Sequence, residues 1–259
     1  MYKADRCLVC LSDGITIVRD STAMIHQFIA WKSSGEYFWG HLPSASIRCR
    51  KCGFVFCEDR LTDEEEAKFY NEYQGEEYTA MRLHSQPWYA DEQAIENSEA
   101  TIYRRIALTN SIIDRNIERL KINTVLDYGF ITEKYPLDRF IKSKQYGFKP
   151  YSEKNFVNLI KFDPQQNNPP FDFIMCRHML EQVAHPENLI ARLRDLLNKD
   201  GYICFEMSNS PAAKYQHIFH EKINFFNIQS LSLLLDTLNM KIVDSQEQDD
   251  TISILTKIK

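Results

Sequence analysis

The sequence predicts an α/β protein: a mostly parallel sheet flanked by helices and preceded by a cysteine-bearing module. Three observations lead there. From Thr124 onward, short apolar runs alternate with helical patterns, the sign of parallel strands joined by crossover helices. Two C-x2-C pairs, Cys7/Cys10 and Cys49/Cys52, fall before residue 60. The tract between carries helical signals and no strand pattern. The expected organisation is residues 1–60 as the cysteine module with an insert, 61–120 as a helical lid or linker, and 121–259 as the sheet domain.

A chain of 259 residues can bury one good core and carry an appendage. Its 44% hydrophobic and 12% aromatic content are those of an ordinary globular protein and exclude long disorder. A net charge of −5 argues against a broad nucleic-acid or anionic-membrane surface. No run approaches the ~18 apolar residues of a membrane span. The opening MYKADRCLVC carries no signal-peptide core, so a cytoplasmic location is expected.

Seven cysteines without a secretory signal point to thiols or metal ligation rather than disulfides. Gly53, directly after Cys52, can supply the left-handed turn of a zinc knuckle. The two pairs together predict a tetrahedral zinc site of Cys7, Cys10, Cys49 and Cys52. Four thiolates leave no open position, so that zinc is structural; the alternative is four unrelated thiols. The wide spacing requires residues 11–48 to loop out, and the Trp31, Tyr37, Phe38 and Trp39 of this insert are expected to pack on the main domain. Cys57, Cys176 and Cys204 stand alone, and the last two read as small hydrophobes within strands.

Thr62 and Glu65 form a capping box that opens a helix ending at Gly75. A looser segment follows through Trp88, then one long helix over Asp91–Leu120 with an isoleucine stripe. Strands are expected near 124–128, 145–148, 158–162, 171–176, 201–206, 240–245 and 252–257, and helices near 134–143, 152–157, 187–198 and 228–238. Two strands close together at the C-terminus suit a reversed final hairpin.

Several motifs in order carry a family resemblance. RCRKCGFVF is followed by LTDEEEAKFYNEYQGEEY, then VLDYG and YGFKPYSE. FDFIMCRHMLEQVAHPENLIARLRDLLNKDGYICFEMSN and HIFHEKINFFNIQSLSLLL complete the series. Together they resemble the zinc-ribbon class I S-adenosylmethionine (SAM) methyltransferases, a group that includes deoxysugar C-methyltransferases and enzymes of glycan assembly. The resemblance implies a Rossmann-like class I sheet behind the zinc module, SAM as cofactor and a small-molecule or sugar-linked substrate. The net charge of −5 and the lack of a long apolar run argue against nucleic-acid and membrane partners.

In open α/β sheets a ligand sits at the carboxyl ends of the strands, where strand order reverses. Combined with the resemblance, this places Asp127, Gly129, Phe148, Lys149, Asp163, Cys176 and Arg177 around a SAM-binding mouth. Tyr70, Tyr73 and Tyr78 either fold over it as a lid, with Tyr78 on the cofactor, or serve helix packing. His220 and Glu221 match the His-Glu of the sugar enzymes' motif and are the expected catalytic pair. His178 is a further candidate base, or else a capping group. The chain departs from the family pattern at Ile131 and Glu133, which replace loop glycines, and at Lys149, which replaces the ribose-binding acid. It departs again at Gln182 and at Lys222, which stands where the sugar enzymes have a second histidine.

Two functions follow. The first is a SAM-dependent methyltransferase acting on a sugar, nucleotide-sugar or glycan intermediate, with oxygen favoured over carbon because the C-methylation motif is incomplete. The second is a catalytically degenerate relative that serves as a binding or scaffold subunit for a protein partner. Ile131, Glu133, Lys149 and Gln182 speak for it.

Overall fold

The computed structural model describes residues 2–21, 44–72, 75–85, 87–96, 98–118, 121–129, 138–140, 142–148, 159–163, 170–209, 222–249 and 251–259. Ile131, Glu133, Lys149, Tyr73, His220, Glu221, the aromatic residues of the insert and the 152–157 helix lie outside them. Of the helix expected near 134–143, the described part is a short 3-10 turn at Asp138–Phe140.

The N-terminal module contains five strands: β1 (Tyr2–Lys3), β2 (Ile15–Ser21), β3 (Ser44–Cys49), β4 (Val55–Cys57) and β5 (Asp59–Arg60). β1 pairs antiparallel with β5. β2 and β3 pair from Ile15↔Cys49 to Ser21↔Ser44. The described ends of the 11–48 insert therefore form an antiparallel ladder with one irregularity between Ile17 and Arg19. The β-branched run ITIV favours that pleated pairing.

Four helices follow: α1 (Asp63–Glu72), α2 (Glu76–Ser85), α3 (Tyr89–Glu96) and α4 (Glu99–Asn116). The capping box forms as expected, Thr62 N donating to Glu65 Oε2 at 2.9 Å and Glu65 N to Thr62 Oγ1 at 3.3 Å. Two expectations change here. The looser segment after Gly75 is helix α2, held by the buried Tyr78, Met81 and Arg82. The single long helix is two, because Ser98 caps α4 by accepting from Thr101 N, and Ile95 is exposed rather than on the stripe.

The sheet domain adds β6 (Thr124–Gly129), β7 (Lys144–Phe148), β8 (Ile160–Lys161), β9 (Phe171–Arg177), α5 (Pro186–Asp195), β10 (Leu197–Ser208), β11 (Asn224–Phe225), α6 (Ile228–Thr237), β12 (Met240–Gln248) and β13 (Thr251–Ile258). Seven of these strands form one sheet in the order β12-β13-β10-β9-β6-β7-β8. β6 through β10 run parallel, while β13 is antiparallel to both its neighbours, giving the expected reversed hairpin. This is the Rossmann-like class I methyltransferase fold. The central strands are buried on both faces, as parallel strands between helices must be.

β11 does not join this sheet. It pairs with β4 and completes the module's own sheet, β11-β4-β3-β2. Phe54 stacks on Phe56 at 5.3 Å and meets Phe226 at 4.6 Å, so one apolar core runs from the cysteines to the large sheet. Each of these buried rings contributes roughly 1.5–3 kcal/mol. The opposite face of the sheet packs Val125, Phe173, Met175 and Leu255 against Ile112 and Ile113 of α4. No helix among the described residues is long and apolar enough to cross a membrane.

Candidate active site at the strand switch

Strand order reverses between β6 and β9, so the crevice beyond Gly129 and Arg177 is where a ligand belongs. The residues there are charged and almost wholly buried. Asp127 accepts from Arg177 Nη1 at 2.8 Å through Oδ2. Its Oδ1 is buried and has no hydrogen-bond partner among the described residues. Burial lifts the Asp127 carboxyl above its usual range, with the Arg177 guanidinium opposing the shift. An orphaned carboxylate oxygen in a crevice is suited to a cationic donor.

Gly129 ends β6 with φ +115°, which side-chain-bearing residues rarely adopt. A Cβ there would lie 2.6 Å from Met179 Cγ and 2.7 Å from the Arg177 carbonyl oxygen. The glycine thus lets the β9 end and its following turn close over β6.

That turn carries His178, itself in a left-handed conformation at φ 50°. Its Nδ1 lies 3.3 Å from Glu181 Oε2, and its Nε2 lies 3.3 Å from Glu206 Oε1, close enough for an ion pair but without hydrogen-bond alignment. Glu206, on β10, accepts from Thr109 Oγ1 of α4 at 3.1 Å. Glu181 accepts from Ser208 N at 2.7 Å, and Lys222 Nζ stands 3.7 Å from its carboxylate while bonding Ser208 Oγ. Burial opposes the His178 charge, but Glu181 and Glu206 outweigh it and raise the imidazole pKa. Burial likewise works against the Glu181 anion, yet His178 and Lys222 hold it well below the usual carboxylate range. With a carboxylate at each ring nitrogen, the charged form of His178 is favoured and both nitrogens are turned toward Glu181 and Glu206.

This pair predicts a pH signature. The raised His178 pKa gives stability complete below the ordinary histidine value near ~6.5 and lost as pH climbs through the folded value. The depressed Glu181 contribution is present above the usual carboxylate range and lost only in strong acid. Replacing Glu181 with Gln is expected to cost about 3–5 kcal/mol in urea unfolding and to lower the His178 pKa by NMR. An unchanged His178 titration in that variant would contradict the pairing.

Among the other expected residues, Phe148 packs on Tyr128 at 4.9 Å and is half-buried, as is Asp163. Cys176 is buried, and burial pushes its thiol well above the ordinary value, as suits a small hydrophobe. Tyr78 sits in a separate apolar cluster with Val55, Leu61 and Ile223, its ring edge-on to Phe69 at 5.7 Å. Tyr70 is buried beside it and donates to Gln182 Oε1 at 3.3 Å, which gives that glutamine a packing partner. Glu206, Thr109 and Asn224 were given no role from sequence. A glutamate inside the apolar run YICFEM was the available signal for Glu206.

The second constellation is the cysteine cluster. Cys7 Sγ lies 3.6 Å from Cys52 Sγ, Cys10 Sγ lies 3.5 Å from Cys49 Sγ, and all four fall within 4.8 Å of one another. Tetrahedral zinc with Zn–S bonds of about 2.3 Å has S–S edges of about 3.8 Å, so the donor set fits. Each knuckle closes with a left-handed residue, Leu11 at φ 56° and Gly53 at φ 73°, whose N–H groups donate to Cys7 O and Cys49 O. Burial pushes the Cys7 thiol up to about 11. Cys49 is held at about 7, burial being outweighed by hydrogen bonds from the Cys52 and Lys51 amides and from the neighbouring cysteines.

Comparison with known proteins bears on the sheet domain. The family described as Methyltransferase domain matches residues 98–245, beginning at the cap of α4 and ending in β12. The chain belongs to this methyltransferase family. Its fold is similar to that of the 1,6-didemethyltoxoflavin-N1-methyltransferase of Burkholderia thailandensis, solved with 1,6-didemethyltoxoflavin and S-adenosylhomocysteine. The two are 16% identical with a TM-score of 0.48, over 83% of this chain and 96% of the other. A SAM-dependent methyltransferase from Clostridium acetobutylicum is 12% identical with a TM-score of 0.47, over 66% and 98% of the two chains. The N-methyltransferase NodS of Bradyrhizobium japonicum is 11% identical with a TM-score of 0.43, over 63% and 99%. No curated protein sequence matches this methyltransferase-family chain.

Proposed function

We propose that this chain is a cytoplasmic SAM-dependent methyltransferase that acts on a small molecule, a sugar, nucleotide-sugar or glycan intermediate, at an oxygen atom. The observation that carries the donor side is the buried Oδ1 of Asp127, unpartnered among the described residues, beside Gly129 at the strand switch. Such an oxygen is placed to accept from the ammonium of SAM's methionine end, while Arg177 holds the other oxygen in place. Phe148, Lys149, Asp163 and Cys176 border the same mouth in the sequence-based assignment. SAM supplies the electrophilic methyl group for a direct displacement, and the chain supplies orientation and a base.

Proton removal falls to His220 and Glu221, immediately before Lys222. His178 holds Glu181 and Glu206 in place rather than acting as base, because both its nitrogens face carboxylates. Zinc on the four cysteines is structural. A second reading has a specific basis: Met179 presses on Gly129, and Ile131, Glu133 and Lys149 replace the family's usual residues. That reading is a non-catalytic binding subunit for a protein partner.

Methyl-labelled SAM incubated with zinc-replete protein and a panel of nucleotide-linked sugars separates the two. Label is expected on a sugar oxygen, and it is expected to disappear with His220→Ala. No transfer to any member of the panel by folded protein favours the non-catalytic subunit.

A further inference from the structure

Arg60 ends β5 and is fully buried. Its guanidinium donates to three main-chain carbonyls: Ala184 O at 2.6 Å, Val183 O at 3.2 Å and Ile223 O at 3.2 Å. A buried cation is expensive, and an apolar side chain of similar volume would fill the space at less cost. The planar fork of arginine, which can reach several acceptors at once, is what distinguishes it here.

The three carbonyls lie on two segments that build the crevice. Val183 and Ala184 end the turn that begins with His178 and Glu181. Ile223 directly follows Lys222. These segments also bond one another: Ile223 N and Asn224 N donate to Glu181 O at 2.7 and 2.9 Å. Asn224 Nδ2 adds bonds to Leu180 O and Val183 O, both at 2.8 Å. On the module side, Cys57 N donates to Ile223 O at 2.9 Å, and β4 carries β11 as an added strand. Among the described residues, Asp127 and Gly129 on β6 take no bond from the module.

We propose that Arg60 is a positioning residue that carries the metal-held geometry of the N-terminal module into the acceptor side of the crevice. It fixes Glu181 and Lys222 and leaves the donor side on β6 untouched. This rests on the methyltransferase reading of the crevice.

The test uses full-length, zinc-loaded protein with Arg60→Met and Arg60→Lys. Arg60→Met is expected to keep its zinc and to bind S-adenosylhomocysteine within about threefold of the parent. Amide exchange at Ile223 and Asn224 is expected to rise at least about tenfold. The His178 titration midpoint, assigned by NMR with His178→Gln, is expected to fall by about half a unit as the carboxylates lose their placement. Arg60→Lys is expected to restore part of both, since an ammonium reaches fewer carbonyls. Unchanged exchange and an unchanged His178 midpoint in a folded, zinc-loaded variant overturn the proposal. If Arg60→Met does not fold, Arg60→Lys carries the same test. Failure of the parent to bind S-adenosylhomocysteine would sink the methyltransferase reading instead, and leaves the exchange result to be judged by itself.

Discussion

Replacing Cys52 with serine is expected to abolish zinc binding and to lower the melting temperature of the whole chain. Cys52 is fully buried, with Cys7 Sγ 3.6 Å away, and is followed by the left-handed Gly53 and by Phe54. The Phe54 ring lies 4.6 Å from Phe226, so the knuckle and the large sheet share one core. Metal loss therefore removes more than a local clip. Structural zinc sites contribute on the order of 10 kcal/mol, and losing even about 4 kcal/mol lowers the melting point of a chain this size by about 10 °C. Metal analysis and calorimetry check this. A variant that retains one zinc per chain and melts within about 2 °C of the parent contradicts the four-thiolate site.

Gly129→Ala is expected to destabilise the protein by about 3 kcal/mol or more in urea unfolding. The methyl group would meet Met179 Cγ at 2.6 Å and the Arg177 carbonyl at 2.7 Å, at a φ of +115° that alanine resists. Met179 has a flexible side chain and can move. The Arg177 carbonyl belongs to β9 and cannot move without breaking the register Gly129↔Arg177. The same shift would displace Arg177 from Asp127 and so weaken donor binding. An alanine variant of parental stability would mean that the β6–β9 closure is looser than the geometry shows.

The sheet was the most legible part of the chain because parallel strands buried on both faces read as apolar runs such as FDFIMC, with helices between. The cysteine site was legible for a different reason: C-x2-C spacing with Gly53 encodes knuckle geometry locally. The four cysteines lie together as expected. The break at Ser98 was missed because a serine cap inside an isoleucine stripe competes with a periodicity that continues across it. β11 was missed because NF gains its strand character from pairing with β4, which is 168 residues away in Asn224↔Phe56. Nothing local marks such a partner. The buried charges posed the same difficulty. Glu181 and Glu206 read as ordinary acids until folding places His178 between them, and Arg60 gives no local sign that it will cap carbonyls at Val183, Ala184 and Ile223. His220 and Glu221 lie outside the described residues and stay a proposal from the motif; Lys222, which follows them, is set on Glu181 and Ser208.

The proposed function requires that the crevice between β6 and β9 hold a SAM-type ligand. Calorimetric titration of zinc-replete protein with S-adenosylhomocysteine tests this most directly, with Asp127→Asn titrated alongside. The predicted result is a one-to-one complex with a micromolar dissociation constant, weakened at least about tenfold in the variant as a buried charged acceptor becomes neutral. Absence of binding at high ligand concentration, in protein shown to be folded and zinc-loaded, would contradict it and leave a binding subunit on a methyltransferase fold.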